Sequence, residues 1–442
     1  MSTRTLAAEA PPSETTLDET PSSSGITLNE DQERATQALT EFLSEGEPGA
    51  DFGIFGAAGT GKTTVIAEAF RRLPHLQVCF SAPTHKAAGV LASKAEPGQD
   101  VSTIHRLLGC RKIRNEEKGE IEFRPDPARP GPFGGYEVVV VDECSMVGEQ
   151  MRGWIEQAKE HAFPDVPRVV YLGDPYQLAP VKDGDRSPTF GVEHVELQQI
   201  MRHEGIIQRA CTDVRESMGK SALPRFAREG RDEHGVIERY PSGNAGLDRF
   251  FQRYTEAKGD KKILAFRNDE VDHMNQYMRE RVLGSDASLP YVPGERLTMI
   301  STHEISGGGM LYTGTDIDVI TAKPSYQHGL YCWELTVETD WGLLAVIHAF
   351  GDRAQSREYS TERARRKAAA RAGEGWRPYF ELEEAFAHVR PGYATTIHKS
   401  QGSTYDEVFF LQSDILHMRD LELRDRLLYV AYSRARRALH LI

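Results

Sequence analysis

Gly56-Ala57-Ala58-Gly59-Thr60-Gly61-Lys62-Thr63 fits the pattern G-x-x-x-x-G-K-[ST], with apolar Ile54-Phe55 before it and a helical pattern from Thr64 to about Leu73 after it. Those residue types in that order suit one chemistry. Glycines let successive backbone N–H groups converge on phosphate oxygens, at a helix start whose dipole also favours an anion. Lys62 is then expected to reach the β- and γ-phosphates of a nucleoside triphosphate and the Thr63 hydroxyl to ligate Mg²⁺, with Gly56, Gly59, Thr60, Gly61 and Thr64 completing the cradle. Further along, Val138-Val139-Val140-Val141 runs into Asp142-Glu143, so one strand end presents two carboxylates. Asp142 is placed to hold Mg²⁺, and Glu143 to orient and deprotonate an attacking water. A later strand end, Leu172-Gly173-Asp174-Pro175-Tyr176-Gln177, adds an uncharged amide. Gln177 fits a sensor of the terminal phosphate, and an ordinary loop glutamine reads the same way.

The elements that must position these groups alternate between strand and helix. Thr27 and Glu30 read as a capping box, and Ala35, Leu39, Phe42 and Leu43 follow at helical spacing, leading into the strand before the phosphate loop. Val78 to Ser81, Val138 to Val141 and Val169 to Leu172 read as strands buried on both faces, with a helix from about His85 to Lys94. A parallel sheet covered on both sides follows, a first α/β domain over 26–185. Within it, 110–136 is charged and then proline-rich, which predicts a small hairpin outside the core. A second α/β alternation begins near Glu193, with Ile263 to Phe266 as a strand, Val271, Met274, Met278 and Val282 as a packing stripe, and the terminal strand Leu439 to Ile442. Short alternating segments between Pro293 and Phe350 predict an inserted antiparallel β barrel, followed by an Ala-rich helix carrying Arg357, Arg363, Arg365, Arg366, Lys367 and Arg371. That basic helix reads as a solvated face ahead of a phosphate-contacting arm. Residues 1–25 hold only Leu6 and Leu17 as sizeable apolar side chains and read as a disordered tail.

Bulk properties narrow the class. No apolar run among the 442 residues approaches a membrane span, and the N-terminus lacks the order of a signal peptide, so an intracellular, cytoplasmic protein is expected. Five scattered cysteines, never in C-x-x-C spacing, suggest neither a disulfide framework nor zinc. A net charge of −13 argues against bulk attraction to nucleic acid and leaves room for a local basic groove.

The order of motifs resembles a known family. Gln32, Gly56 to Thr63, Ala82-Pro83-Thr84-His85-Lys86, Ser102-Thr103-Ile104-His105, Asp142 to Met146, Gly173 to Gln177, Met201-Arg202, Ile397-His398-Lys399-Ser400-Gln401-Gly402 and Tyr429 to Arg436 are similar to the ordered motifs of superfamily 1B helicases, the RecD and Pif1 branch that includes the Dda type of T4-like phages. The resemblance implies two RecA-like P-loop NTPase domains, 1A over 26–185 and 2A over 186–292 with 391–442. It also implies a pin (1B) at 110–136 and an SH3-like β-barrel accessory domain (2B) over 293–390 that braces the pin. It assigns Gln32 to the adenine edge, Gln177 to coupling of nucleotide and DNA, and Arg202 and Arg434 to the γ-phosphate as arginine fingers. Thr84, His85, Lys86, Thr103, His105, His398 and Lys399 would follow a DNA strand, and Phe123 would stack at the duplex junction. The activity implied is ATP-dependent unwinding with 5′-to-3′ translocation, by a monomer acting on single-stranded DNA and single-strand/duplex junctions. A single-stranded-DNA-binding or replisome protein is a further expected partner, and a membrane is not. A translocase that strips proteins from DNA and an ATP-gated adaptor of a recombination or repair complex stay open beside it, as does RNA.

Overall fold

Val138–Val141 are at most 1% exposed and lie inside a six-stranded parallel sheet. A computed structural model describes residues 27–442 apart from 93–98, 181–182, 185, 200–204, 221–225, 306–308 and 417. The sheet order is Asp100–Thr103, Val78–Ala82, Val138–Val141, Arg168–Gly173, Asp51–Gly56, Glu193–Leu197. Alternate side chains leave on opposite faces, as a strand requires. Val138 and Val140 join a cluster with Ala35, Leu39, Val65 and Phe70 from the helices Glu30–Glu45 and Lys62–Arg72, while Val139 and Val141 pack with Ile155 of the helix Glu149–Ala162. Burial on both faces is why these strands read as unbroken apolar runs. Because all the strands are parallel, the loops after Gly56, Ala82, Val141 and Gly173 open at one end of the sheet.

Four expectations are corrected. Glu193–Leu197 pairs in parallel with Asp51–Gly56, so the first sheet continues beyond residue 185 and the second unit does not begin at Glu193. The helix cap is one motif later than read: Asn29 accepts from Gln32 N at 2.7 Å and Gln32 Oε1 accepts from Asn29 N at 3.2 Å. The segment 110–136 is not wholly outside the core, since Cys110 and Phe133 are buried with Leu107, Val139 and Tyr171. Val282, the last residue of the helical stripe, is 47% exposed.

The second sheet runs Ala394–Thr396, Lys261–Ala265, Tyr405–Phe410, Ala435–Leu441, Val236–Arg239, Gly230–Arg231, with the last strand antiparallel. A third, antiparallel sheet runs Leu344–Ala349, Leu330–Thr339, Asp316–Gln327, Arg296–Met299, Val389–Pro391. Its pairing among the described residues is that of an open sheet. The basic helix Arg353–Ala369 packs beside it, and its cations are largely spent internally: Arg363 pairs with Glu383, and Arg365 and Arg366 with Glu362. The five cysteines are buried.

One carboxylate joins all three units. Asp316 of the third sheet accepts from Lys262 of the second sheet at 3.1 Å and lies 3.8 Å from Lys86 of the first unit, with the Thr298 hydroxyl on its other oxygen. Burial pushes the Asp316 carboxyl up, but the ammonium groups of Lys262 and Lys86 and the Thr298 hydroxyl outweigh it and hold it below its ordinary range. A carboxyl lowered on folding adds stability that is present above its unfolded value of ~3.9 and is lost as pH falls through the folded value. Asp316→Asn, which leaves Lys262 buried without its counter-charge, is therefore expected to cost about 3 kcal/mol in urea unfolding at pH 7. The gap should begin to narrow below about pH 4 and shrink further as pH falls through the lowered folded value; a gap that is independent of pH would contradict the charged contact.

Candidate nucleotide cleft and nucleic-acid face

The phosphate loop turns on two glycines that adopt positive φ, Gly59 at 88° and Gly61 at 89°, between the strand Asp51–Gly56 and the helix Lys62–Arg72. A Cβ on Gly61 would meet Gln32 Nε2 at 2.2 Å, so only glycine fits there. Gln32 is buried, and its amide spans the cap and the loop: Nε2 donates to Thr60 O at 3.1 Å while Oε1 holds Asn29 N. Thr60 Oγ1 closes the turn on Ala57 O at 3.0 Å, and the Lys62 ammonium donates to Gly56 O and Ala57 O at 2.7 and 3.1 Å. Thr63 and Thr64 follow on the first turn of the helix, Thr63 exposed.

The carboxylates sit at the neighbouring strand ends. Glu143 is the residue after Asp142, takes a left-handed conformation (φ 52°), and donates its N–H to Asp142 Oδ1 at 2.8 Å. Such a backbone is costly for a residue with a Cβ and turns the Glu143 side chain out of the strand direction. Asp174, which follows the strand between those that lead into Asp142 and the phosphate loop, is 1% exposed. Burial raises its pKa, against the pull of Lys62 and a hydrogen bond from Tyr429. Three buried polar atoms of the flanking segments, Ser145 Oγ, Gln177 Oε1 and Ser403 Oγ, have no hydrogen-bond partner among the described residues. A group with polar atoms is what such orphans need.

The second unit reaches this cleft directly. Tyr429 Oη accepts from Ala58 N at 3.3 Å and donates to Asp174, Gln208 Nε2 donates to Ala58 O at 3.3 Å, and Arg426 donates to Pro175 O and Gln177 O at 2.6 and 2.7 Å. Arg434, on the same helix as Tyr429, is buried against its own unit, donating to Ser403 O, Val430 O and Ser433 Oγ. Arg202 lies outside the described residues. Gln208 and Arg426 carry no local sequence signal; each is one polar residue among several on its helix, and nothing separates them until the units meet. Tyr429 stands inside a motif, but nothing in the order of residues says that its hydroxyl crosses a cleft.

The expected nucleic-acid residues have partners that the sequence did not suggest. Thr84 Oγ1 accepts from Ala87 N, and a Cβ on Gly402 of the second unit would lie 3.6 Å from it. His85 stacks on Tyr312 of the third unit with ring centroids 3.2 Å apart, and burial, with His105 and Arg106 nearby, pushes its pKa down to about 4. Lys86 is drawn to Tyr405 and Asp316. Thr103 caps the short helix Ile104–Leu107. His105 lies 5.5 Å from Phe123, centroid to centroid, and burial depresses its pKa. Phe123 stands opposite Lys112 on the hairpin Cys110–Asn115/Glu120–Pro125, packed on the first unit's core and away from the hairpin turn. On the second unit His398 lies 6.1 Å from Phe266 with its pKa lowered by burial, and Lys399 is exposed.

Comparisons with known proteins find likenesses along most of the chain. A model described as an AAA domain matches residues 27–235, and one described as a UvrD-like helicase C-terminal domain matches residues 391–442. The chain is 27% identical over 429 residues to the ATP-dependent DNA helicase Dda of Enterobacteria phage T4, covering 87% of this chain and 92% of that protein. It is 24% identical over 412 residues to the ATP-dependent DNA helicase Pif1 of Bdellovibrio bacteriovorus, covering 88% and 83%. In fold it matches Bacteroides Pif1 bound to single-stranded DNA, with a TM-score of 0.52 at 18% identity over 94% of this chain and 92% of that one. The α/β fold is that of the Pif1 structures, with RecA-like P-loop domains.

Gly61→Ala tests the loop geometry. Backbone strain of about 1–3 kcal/mol at that φ should weaken binding of a fluorescent nucleotide roughly tenfold or more. The far-ultraviolet circular dichroism should be unchanged. Unaltered affinity would show that this turn does not shape the site.

Proposed function

We propose, from the chain's homology to the superfamily 1B helicases of the Pif1 and Dda kind, that it is an ATP-dependent DNA helicase that moves 5′-to-3′ along single-stranded DNA and unwinds the duplex ahead. The observation that carries this reading is the cleft itself: a phosphate loop and a carboxylate strand end on one unit, with the helix Leu421–Ser433 of a second unit hydrogen-bonded to the loop. A cleft built from two hinged units can close on ATP and open on product release, and that motion can ratchet a bound strand.

In this reading Lys62 swings from its loop carbonyls to the β- and γ-phosphates, Gln32 faces the adenine edge, and Glu143 takes the proton of the attacking water. The donor set fits Mg²⁺: one hydroxyl, Thr63, and one carboxylate, Asp142, are hard oxygen ligands of the sparse kind this ion accepts beside phosphates and water. The ion would neutralise charge on the phosphate chain. Gln177 couples the cleft to the strand, and Arg434 with Arg202 completes the charge stabilisation once the units close.

The strand runs past Thr84, His85, Lys86, Thr103 and His105 toward His398 and Lys399. The hairpin is the pin, with Phe123 near its base beside His105 and its turn braced by the third unit, which serves as the 2B accessory domain. The brace is specific: Gly119 O accepts from Lys367 Nζ and Tyr379 Oη, both at 3.0 Å, and Arg114 pairs with Glu384 at 2.6 Å. A separating element must resist load, and this one is held at both ends.

Matched duplexes with a 5′ or a 3′ single-stranded tail test the proposal. Strand separation is expected only with the 5′ tail and only with ATP. Glu143→Gln should still bind nucleotide and DNA yet hydrolyse at least about a hundredfold more slowly. Equal unwinding from both tails, or normal turnover in that variant, would overturn the polarity or the base assignment respectively.

A further inference from the structure

Tyr429 has no chemical role above, yet its side chain crosses the cleft beside those of Gln208 and Arg426. It is 1% exposed on the helix Leu421–Ser433, and its hydroxyl makes two bonds to the first unit: it donates to Asp174 Oδ2 and accepts from Ala58 N at 3.3 Å. Asp174 uses its other oxygen on Tyr176 N at 3.0 Å, so the Tyr429 bond completes the pairing of a fully buried carboxylate. The strand that leads into Asp174 lies between the strand before the phosphate loop and the strand that leads into Asp142 and Glu143. Ala58 is the third residue of the phosphate loop, whose backbone N–H groups serve phosphate oxygens. The phenol oxygen therefore meets one of those donors as a phosphate oxygen would.

Resting on the proposed ATP hydrolysis, we infer that Tyr429 is a positioning residue: its hydroxyl competes with the terminal phosphate for the Ala58 N–H and holds Asp174 in place beside the phosphate loop. A phosphate oxygen that takes Ala58 N leaves Tyr429 bonded to Asp174 alone. The same helix carries Arg426, which grips Pro175 O and Gln177 O, and ends at Arg434. Occupancy of the loop thus reaches the turn 174–177 and the candidate arginine finger through one rigid element. Packing alone does not call for the hydroxyl, because a phenylalanine would keep the edge contact with Tyr176, whose ring centroid is 6.4 Å away.

Tyr429→Phe in the full chain separates these roles. Titration with a fluorescent, non-hydrolysable ATP analogue should show affinity raised about fivefold, the effect of freeing one neutral hydrogen bond. Under saturating single-stranded DNA, kcat should fall about tenfold or more, since the buried Asp174 loses a donor. The melting curve should remain cooperative. Asp174→Asn should lower kcat as well, and the double variant should be no slower than Asp174→Asn alone, because Tyr429 acts through Asp174. Unchanged affinity and kcat in Tyr429→Phe, or losses that multiply in the double variant, would overturn the inference. Failure of the wild-type protein to hydrolyse ATP would instead sink the proposed function, and the affinity measurement, which needs no turnover, would still decide the role of Tyr429.

Discussion

A phosphate loop is a turn of backbone N–H donors that cannot pair with one another, and buried donors must find acceptors. Much of this structure follows from that constraint. Positive φ at Gly59 and Gly61 aims the donors inward, Thr60 and Lys62 satisfy the loop's carbonyls, and Gln32 braces the turn from the preceding helix. The remaining demand is met across the cleft, where Tyr429 serves Ala58 N and Gln208 serves Ala58 O. Both backbone groups of one loop residue are therefore held by the second unit. The loop proposed to hold phosphate is thus the one whose backbone groups pair across the cleft.

The third unit is tied in by the same economy of polar pairing. Asp316 is stable as a buried anion only because ammonium groups from two other units approach it, so its burial requires the three units to be assembled. His85 stacked on Tyr312 and the hairpin turn held by Lys367 and Tyr379 add contacts from the same unit to the first. Lys86 lies at the crossing: it is one of the cations expected on the nucleic-acid face, and it also carries the joint to Tyr405 and Asp316. A phosphate arriving there would compete with Asp316, which links strand binding to the fit of the units.

Signals confined to a few consecutive residues were legible in the sequence. The loop from Gly56 to Thr63, the valine strand and the alternating segments of the third sheet all express a local period or a local backbone requirement. What failed depended on partners distant in the chain. Glu193–Leu197 is an edge strand with one face open, so it lacks the continuous apolar run of its neighbours and was read with the wrong sheet. The cap shifted from Thr27 to Asn29 because Gln32, itself anchored on Thr60, supplies the reciprocal bond. Phe133 reads as part of a proline-rich excursion, yet returns to the core beside Val139. Nothing local announces that the His85 ring meets Tyr312 or that the Lys86 ammonium lies near Asp316, because both partners are more than two hundred residues away in sequence.

The histidines carry a consequence for how an acidic protein holds a polyanion. Burial lowers the pKa of His85, His105 and His398 alike, so at neutral pH the face they line contributes uncharged rings and hydrogen-bonding nitrogens in place of cations. With a net charge of −13, bulk attraction is also missing. In the proposed reading, affinity for a strand would come from stacking on aromatic rings and from placed cations such as exposed Lys399, and stacking is tolerant of base sequence. Weak, sequence-neutral contacts of that kind can be made and broken at each closure of the cleft, which is the property a stepping motor needs and a strongly cationic groove would deny it.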